Sequence, residues 1–312
     1  MKVVWGLLLA LVVLAGAGVA LSWAPDRSVD SLKARWAQPP SQFVDADGLS
    51  VHVRDEGPRN DPAPIVLLHG TSSSLHTWDG WAAELSRTRR VIRMDMPGFG
   101  LTGPAADDSY RIEDYVGFVT AVLDRLGVKH CVLGGNSLGG EVAWETALAN
   151  PARVDKLILV DAGGYVVPNQ STPIGFRLAK IPALAPLVEH LLPRAMIRRS
   201  VEEVYGDPAK VTPELVDRYY ELTLRAGNRH ALVQRFAQHV VGADQGKIAS
   251  LSVPTLIIWG GKDKLFPPET AERFHKDIAG SWIAMFDHAG HVPQEEDPAH
   301  TVEAVKQFLG MR

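Results

Sequence analysis

Ser137 stands in the run Gly134-Gly135-Asn136-Ser137-Leu138-Gly139-Gly140, directly after the apolar stretch Cys131-Val132-Leu133 and directly before the helix-like stretch Glu141 to Leu148. A serine with glycines two residues to either side, at a strand-to-helix junction, reads as a nucleophile elbow. The turn there is too tight for Gly135 and Gly139 to carry side chains. The hydroxyl then projects above a sheet at the N-terminus of the next helix, where unpaired amides and the helix dipole favour developing negative charge. A serine hydroxyl is a weak nucleophile at neutral pH, so a base must take its proton and a carboxylate must fix the tautomer of that base. His69, His288 and His291 are the candidate bases, and Asp161 and Asp263 the candidate acids.

The elements that would carry these residues alternate. Strands are predicted at 65–69, 91–95, 131–135, 157–161, 255–259 and 282–286, preceded by a hairpin over 43–53 that turns at Asp47-Gly48. Helices are predicted near 78–86, 112–126, 138–149, 268–278 and 298–310. Such alternation implies a mostly parallel, eight-stranded sheet flanked by helices, in the α/β class. The serine, the acids and the late histidines each fall just past the C-terminal end of a predicted strand, in the order serine, acid, histidine.

Five motifs in this order, His69-Gly70, Asp95-Met96-Pro97-Gly98-Phe99-Gly100, the elbow, Trp259-Gly260-Gly261-Lys262-Asp263 and Gly290-His291, resemble the α/β-hydrolase fold from about Gln42 onward. The resemblance implies Ser137 as nucleophile, Asp263 as acid and His291 as base, because the family histidine follows a glycine. It also implies an oxyanion hole made by the backbone amides of Thr71 and Leu138. His288 and Asp161 remain competitors, while His69 and Asp95 are expected to be structural. Ser72, Ser73, Ser74 and His76 could line the mouth of the pocket or simply form a polar loop.

Between Tyr165 and Ser250 the alternation stops, and the residues read as helices without a convincing strand. A structureless loop of that length is improbable in a compact domain, so 165–250 is expected to be an inserted helical cap on a core of 41–164 and 251–312. Its apolar segment 181–193, followed by Arg194, Arg198 and Arg199, suggests a hydrophobic tunnel or a membrane-touching lid. Plain packing of a cap helix is the blander alternative.

Composition narrows the function. A net charge of -4 leaves no basic footprint for nucleic acid. The single cysteine, Cys131, lies inside a predicted strand and reads as a buried hydrophobe, and no Cys/His cluster at ligand spacing calls for a metal; no cofactor is expected. Residues 3–22 carry no charge, with Trp5 and Trp23 near the two ends, and are long enough to cross a bilayer. They are read as an uncleaved signal anchor within an N-terminal segment 1–23, with 24–40 as linker and the catalytic body extracytoplasmic. A cleaved signal peptide, giving a secreted or periplasmic protein, is the alternative.

Ser137 also discriminates among α/β-hydrolases, since the haloalkane dehalogenases and epoxide hydrolases carry aspartate at that position. Asn136 and the following glycine pair resemble the meta-cleavage-product hydrolases that cut carbon–carbon bonds, as well as several esterases and lactonases. The carbon–carbon enzymes usually have tryptophan after the histidine, where this chain has Val292-Pro293. The expectation is a serine hydrolase acting on a small to medium apolar carboxylic ester or lactone through an acyl-enzyme. A carbon–carbon hydrolase, a perhydrolase or acyltransferase, and a ligand-binding protein without turnover are the other readings.

Overall fold

In the computed structural model, residues 5, 16, 18–20, 22–168 and 171–311 are described. Eight strands form one sheet: β1 (Ser41–Ala46), β2 (Leu49–Glu56), β3 (Ile65–Leu68), β4 (Val91–Met94), β5 (Cys131–Asn136), β6 (Val154–Val160), β7 (Thr255–Gly260) and β8 (Trp282–Phe286). Their spatial order is β1-β2-β4-β3-β5-β6-β7-β8. The β1–β2 and β2–β4 pairs are antiparallel and the remaining pairs parallel. The β1–β2 hairpin turns at Asp47-Gly48, both in left-handed backbone conformation as a tight two-residue hairpin requires.

The central strands are apolar throughout because both of their faces are covered. Along β3, Ile65 and Leu67 join a core with Trp78, Trp81, Val302, Val305 and Phe308, while Val66 and Leu68 join the opposite core with Tyr115, Phe118 and Val122. Side-chain alternation along the strand thus feeds two layers of helices. The helices, in chain order, are α1 (Val29–Trp36), α2 (Asp79–Leu85), α3 (Ile112–Arg125), α4 (Leu138–Ala149), α5 (Ile174–Ala179), α6 (Ala185–His190), α7 (Arg194–Val204), α8 (Pro213–Thr223), α9 (Asn228–Gln238), α10 (Glu269–Asp277), α11 (Pro293–Glu296) and α12 (Pro298–Leu309). Helices α5 to α9 lie between β6 and β7, and no strand interrupts them among the described residues.

Residues 22–36 are docked on this helical insertion. Leu192 N–H donates to the Ser22 carbonyl at 2.9 Å and Ala24 N–H to the His190 carbonyl at 3.0 Å. Leu32 of α1 is buried with Leu101 and Leu222, while Arg35 and Trp36 reach Glu221 of α8. Of residues 3–22 only Trp5, Gly16, Gly18, Val19, Ala20 and Ser22 are described, so the expected anchor lies almost wholly outside the described residues. Among the described residues no helix is long and apolar enough to cross a membrane.

Candidate active site

All of the sequence-derived candidates sit at the C-terminal edge of the parallel strands. Ser137 follows β5 and precedes α4 with φ 55° and ψ −116°, a conformation that L-residues rarely adopt. Hydrogen bonds hold it there: Ser137 N–H donates to the Val160 carbonyl, and the Ser137 carbonyl accepts from Glu141 and Gly163. A Cβ on Gly135 would collide with the Gly139 carbonyl, and one on Gly139 with the Leu68 carbonyl, so the flanking glycines are required by close backbone approach.

Past β7, Asp263 accepts the N–H groups of Leu265 at 2.8 Å and Phe266 at 3.1 Å on Oδ1, while Oδ2 lies 2.7 Å from His291 Nδ1. With two amide donors already on the carboxylate, the natural partner for Oδ2 is Nδ1–H, which leaves His291 Nε2 free to accept a proton. Asp263 and His291 are both almost completely buried, and the Phe266 ring packs edge-on against His291. Ser137, His291, Thr71 and Leu138 line one cavity of about 420 Å³. The Thr71 and Leu138 amides donate to no other backbone group among the described residues. Leu138 is the first residue of α4, where the helix leaves its N–H groups unpaired.

The competitors separate cleanly. His288 is half exposed and pairs with Asp297 at 2.7 Å. His69 is fully buried; its Nε2 accepts the Met96 N–H at 3.0 Å, so its Nδ1–H donates to the Gly70 carbonyl, and burial keeps it neutral. Asp95 accepts from Leu75, Leu101 and His52, tying its own loop to the turn at Leu75 and to β2. His76 is buried between Ser74 and the Trp36 carbonyl, and burial pushes its pKa down to about 3. Ser72 and Ser73 line the cavity.

Asp161 stands directly behind Asp263. Carboxylate oxygens of both aspartates and a ring nitrogen of His291 all lie within 4.8 Å of one another. Asp161 Oδ1 receives only the Gly260 N–H, and its Oδ2 has no donor. Burial, reinforced by the Asp263 charge, holds the Asp161 carboxyl well above the usual carboxylate range. Two adjacent buried carboxyl groups resist ionising together, and the one with fewer hydrogen-bond donors, Asp161, holds a proton. These three residues are the cluster among the described residues that could share a metal ion, but His291 Nδ1 is already engaged by Asp263.

Several positioning residues escape a reading of the sequence. Asn136 Nδ2 donates to the Val160 and His291 carbonyls at 3.1 and 2.9 Å, pinning the histidine loop to the elbow. Glu296, in a run that reads as surface acid, is buried and accepts from Gly290, Gly206 and Asp207. Glu295 accepts from Tyr205 and from the partly buried Arg218. Together with His291 N–H on the Val204 carbonyl at 2.8 Å, these bonds fasten the histidine loop to the helical insertion. Nothing in a Gln-Glu-Glu-Asp run signals that role.

Residues 63–298 match the family model for the alpha/beta hydrolase fold. The chain is 30% identical over 278 residues to 2-hydroxy-6-oxo-2,4-heptadienoate hydrolase of Pseudomonas putida strain F1, covering 86% of this chain and 95% of that protein. It is 33% identical over 289 residues to the uncharacterized protein Rv2715 of Mycobacterium tuberculosis strain H37Rv, covering 88% of this chain and 82% of that one. Among solved structures, a meta-cleavage product hydrolase from Pseudomonas fluorescens IP01 superimposes with a TM-score of 0.75 at 25% identity, over 86% of this chain and 97% of that one. With the sheet order, the elbow and the histidine–carboxylate pair in place, the chain belongs to the alpha/beta hydrolase fold family.

Proposed function

We propose that the protein is a serine hydrolase that cleaves a carboxylic ester or lactone of an apolar substrate through an acyl-enzyme. The observation that carries this reading is the cavity beside Ser137, walled on the insertion side by Leu184, Leu187, Leu191, Met196 and Phe236 and on the core side by Leu265 and Val292. Such walls bind a hydrocarbon chain by removing its surface from water, at roughly 25 cal/mol per Å² buried. Ser137 Oγ attacks the acyl carbon as His291 Nε2 takes its proton, and Asp263 holds the imidazolium by its Nδ1–H. The Thr71 and Leu138 amides receive the oxyanion, where preorganised donors lower the barrier by stabilising charge as it develops. His291 then protonates the leaving oxygen, and water resolves the acyl-enzyme by the reverse sequence. Segment 165–250 serves in this reading as the cap over the reaction.

A second reading, carbon–carbon bond hydrolysis, is favoured by the names of the similar hydrolases from Pseudomonas putida and Pseudomonas fluorescens. Against it stands Val292 after the histidine, where the carbon–carbon enzymes usually have tryptophan. The two are separated by assaying the full chain in mild detergent on p-nitrophenyl esters and lactones of increasing length and on a 2-hydroxy-6-oxo-2,4-dienoate. Ester turnover at least a hundredfold above dienoate turnover supports the first reading, and the opposite order replaces it with the second.

We also propose that residues 3–22 anchor the chain in a membrane with Ala24 onward on the extracytoplasmic side. The support is the uncharged run itself, since a helix of that length satisfies its own backbone in lipid. Ser22 lines the cavity, and Trp23, Ile181 and Leu187 are exposed. An anchor ending there would hold an apolar substrate cavity close to the bilayer. Carbonate-washed membranes should retain the protein with its N-terminus intact; soluble protein beginning near Leu21 would instead point to a cleaved signal.

A further inference from the structure

Beyond the apolar walls, the cavity holds a buried cation that has no salt-bridge partner among the described residues. Arg235 of α9 lines the cavity and is 5% exposed, yet its Nε is buried without a partner and no ion pair or side-chain hydrogen bond holds its guanidinium among the described residues. The other buried arginines are treated differently. Arg93 pairs with Glu56 and Asp79, the partly buried Arg218 with Glu295, and Arg229, also on the cavity wall, with Asp26 through Nη2, although its Nε and Nη1 have no partner among the described residues. A buried charge left unpaired is costly, and a guanidinium fork is shaped to take a planar oxyanion on two donors.

The groups facing Arg235 reinforce the point. Lys180 at the end of α5 and the Arg235 guanidinium both lie 5.3 Å from the centre of the Phe236 ring, so the two cations share one wall. His239, which follows the last residue of α9, stays neutral because burial, Arg235 and Lys180 push its pKa down to about 3; its ring N–H is a donor rather than a charge. Tyr115 of α3 is near Arg235, and burial keeps its hydroxyl protonated. The one acid is Glu141 of α4, 3.6 Å from His239 Nε2, and burial pushes its pKa up to about 7, leaving it only partly ionised at neutral pH. The buried Arg235 charge against a fraction of one negative charge on Glu141 leaves room for an anionic group, and exposed Lys180 adds positive potential at the same wall.

We propose that Arg235, with Lys180 and His239 beside it, forms an anion subsite that takes a carboxylate at the end of the substrate remote from the bond cleaved at Ser137. The substrate class is then an acid ester, an apolar chain carrying the scissile ester at one end and a free carboxylate at the other. The identity of the reacting bond rests on the ester-hydrolase reading; the anion subsite does not.

The test uses the full chain in mild detergent and two matched series, p-nitrophenyl monoesters of C4 to C10 dicarboxylic acids and the same compounds with the far carboxylate methylated. At one chain length kcat/KM should favour the free acid at least tenfold, and Arg235→Met should bring that ratio to within twofold of unity. Lys180→Met, at an exposed position that does not threaten folding, should lower the ratio about threefold. Circular dichroism and thermal unfolding check that Arg235→Met is folded, and Arg235→Lys should keep part of the preference. Equal rates for acid and methyl ester at every length, or a preference unmoved by Arg235→Met and Arg235→Lys, would overturn the subsite. A parallel measurement on Ser137→Ala compares binding of monomethyl suberate and dimethyl suberate by calorimetry. Arg235-dependent preference for the monoacid without turnover of any ester would leave the subsite standing and sink the ester reading; equal binding of the two compounds would sink the subsite.

Discussion

Replacing Asp161 by asparagine should leave the enzyme active, whereas the same change at Asp263 should disable it, although both aspartates are buried at strand ends beside His291. At the 4.8 Å limit of their separation two unit charges repel by roughly 3.5 kcal/mol at an effective dielectric of about 20. Asp161 avoids that cost by keeping its proton. Asparagine reproduces this neutral state: its carbonyl oxygen accepts the Gly260 N–H, and its amide presents a donor toward Asp263. Rates of p-nitrophenyl ester hydrolysis for Asp161→Asn should therefore stay within about tenfold of the parent, while Asp263→Asn should fall about 10⁴-fold through loss of the His291 tautomer. The stability of the two proteins should diverge with pH in a defined sense. A carboxyl whose folded pKa is raised holds a proton that the unfolded chain has lost, so its contribution is complete below the unfolded value and is lost as pH rises toward the folded one. Asparagine has no such proton, so the Tm of Asp161→Asn relative to the parent should climb as pH rises above the ordinary carboxylate range and level off once pH passes the raised folded pKa of Asp161. Equal loss of activity in the two variants, or a Tm difference that falls with pH, would refute the assignment of the proton to Asp161.

Ser137→Ala should abolish both ester turnover and labelling by a fluorophosphonate probe, with thermal unfolding within a few degrees of the parent; labelling that persists would move the nucleophile elsewhere. His291→Gln should cost at least about 10³-fold in kcat, while His288→Gln, changing a half-exposed side chain on Asp297, should stay within threefold, and equal losses would leave the base unassigned. Gly139→Ala should destabilise the fold by about 2 to 3 kcal/mol, because its methyl meets the immovable Leu68 carbonyl; a melting temperature unchanged from the parent would show that the elbow has room the structure does not allow it.

Hydrophobic periodicity and glycine placement sufficed to mark the sheet and the elbow: a short apolar run bounded by turn residues reads as a strand, buried on both faces in β3, β5 and β7, and the glycine spacing about Ser137 marks the tight turn, although the Leu68 carbonyl that Gly139 must clear comes from a neighbouring strand. The helix over 138–149 and the strand over 282–286 lie where the periodicity puts them. The order of serine, acid and histidine along the chain was equally legible, since each follows a strand and parallel strands deliver their C-terminal ends to one edge. What no local pattern contains is which of two strand-end aspartates bears the charge. That depends on amide donors: two reach Asp263 from its own loop, and only one reaches Asp161. The same holds for Glu296 and Arg235, ordinary surface residues by composition. Folding buries one among three amides and leaves the other unpaired in a cavity wall. Residue type and spacing determine which elements form and which groups can react; protonation state and the fate of each buried charge are decided by neighbours that tertiary packing brings from distant parts of the chain.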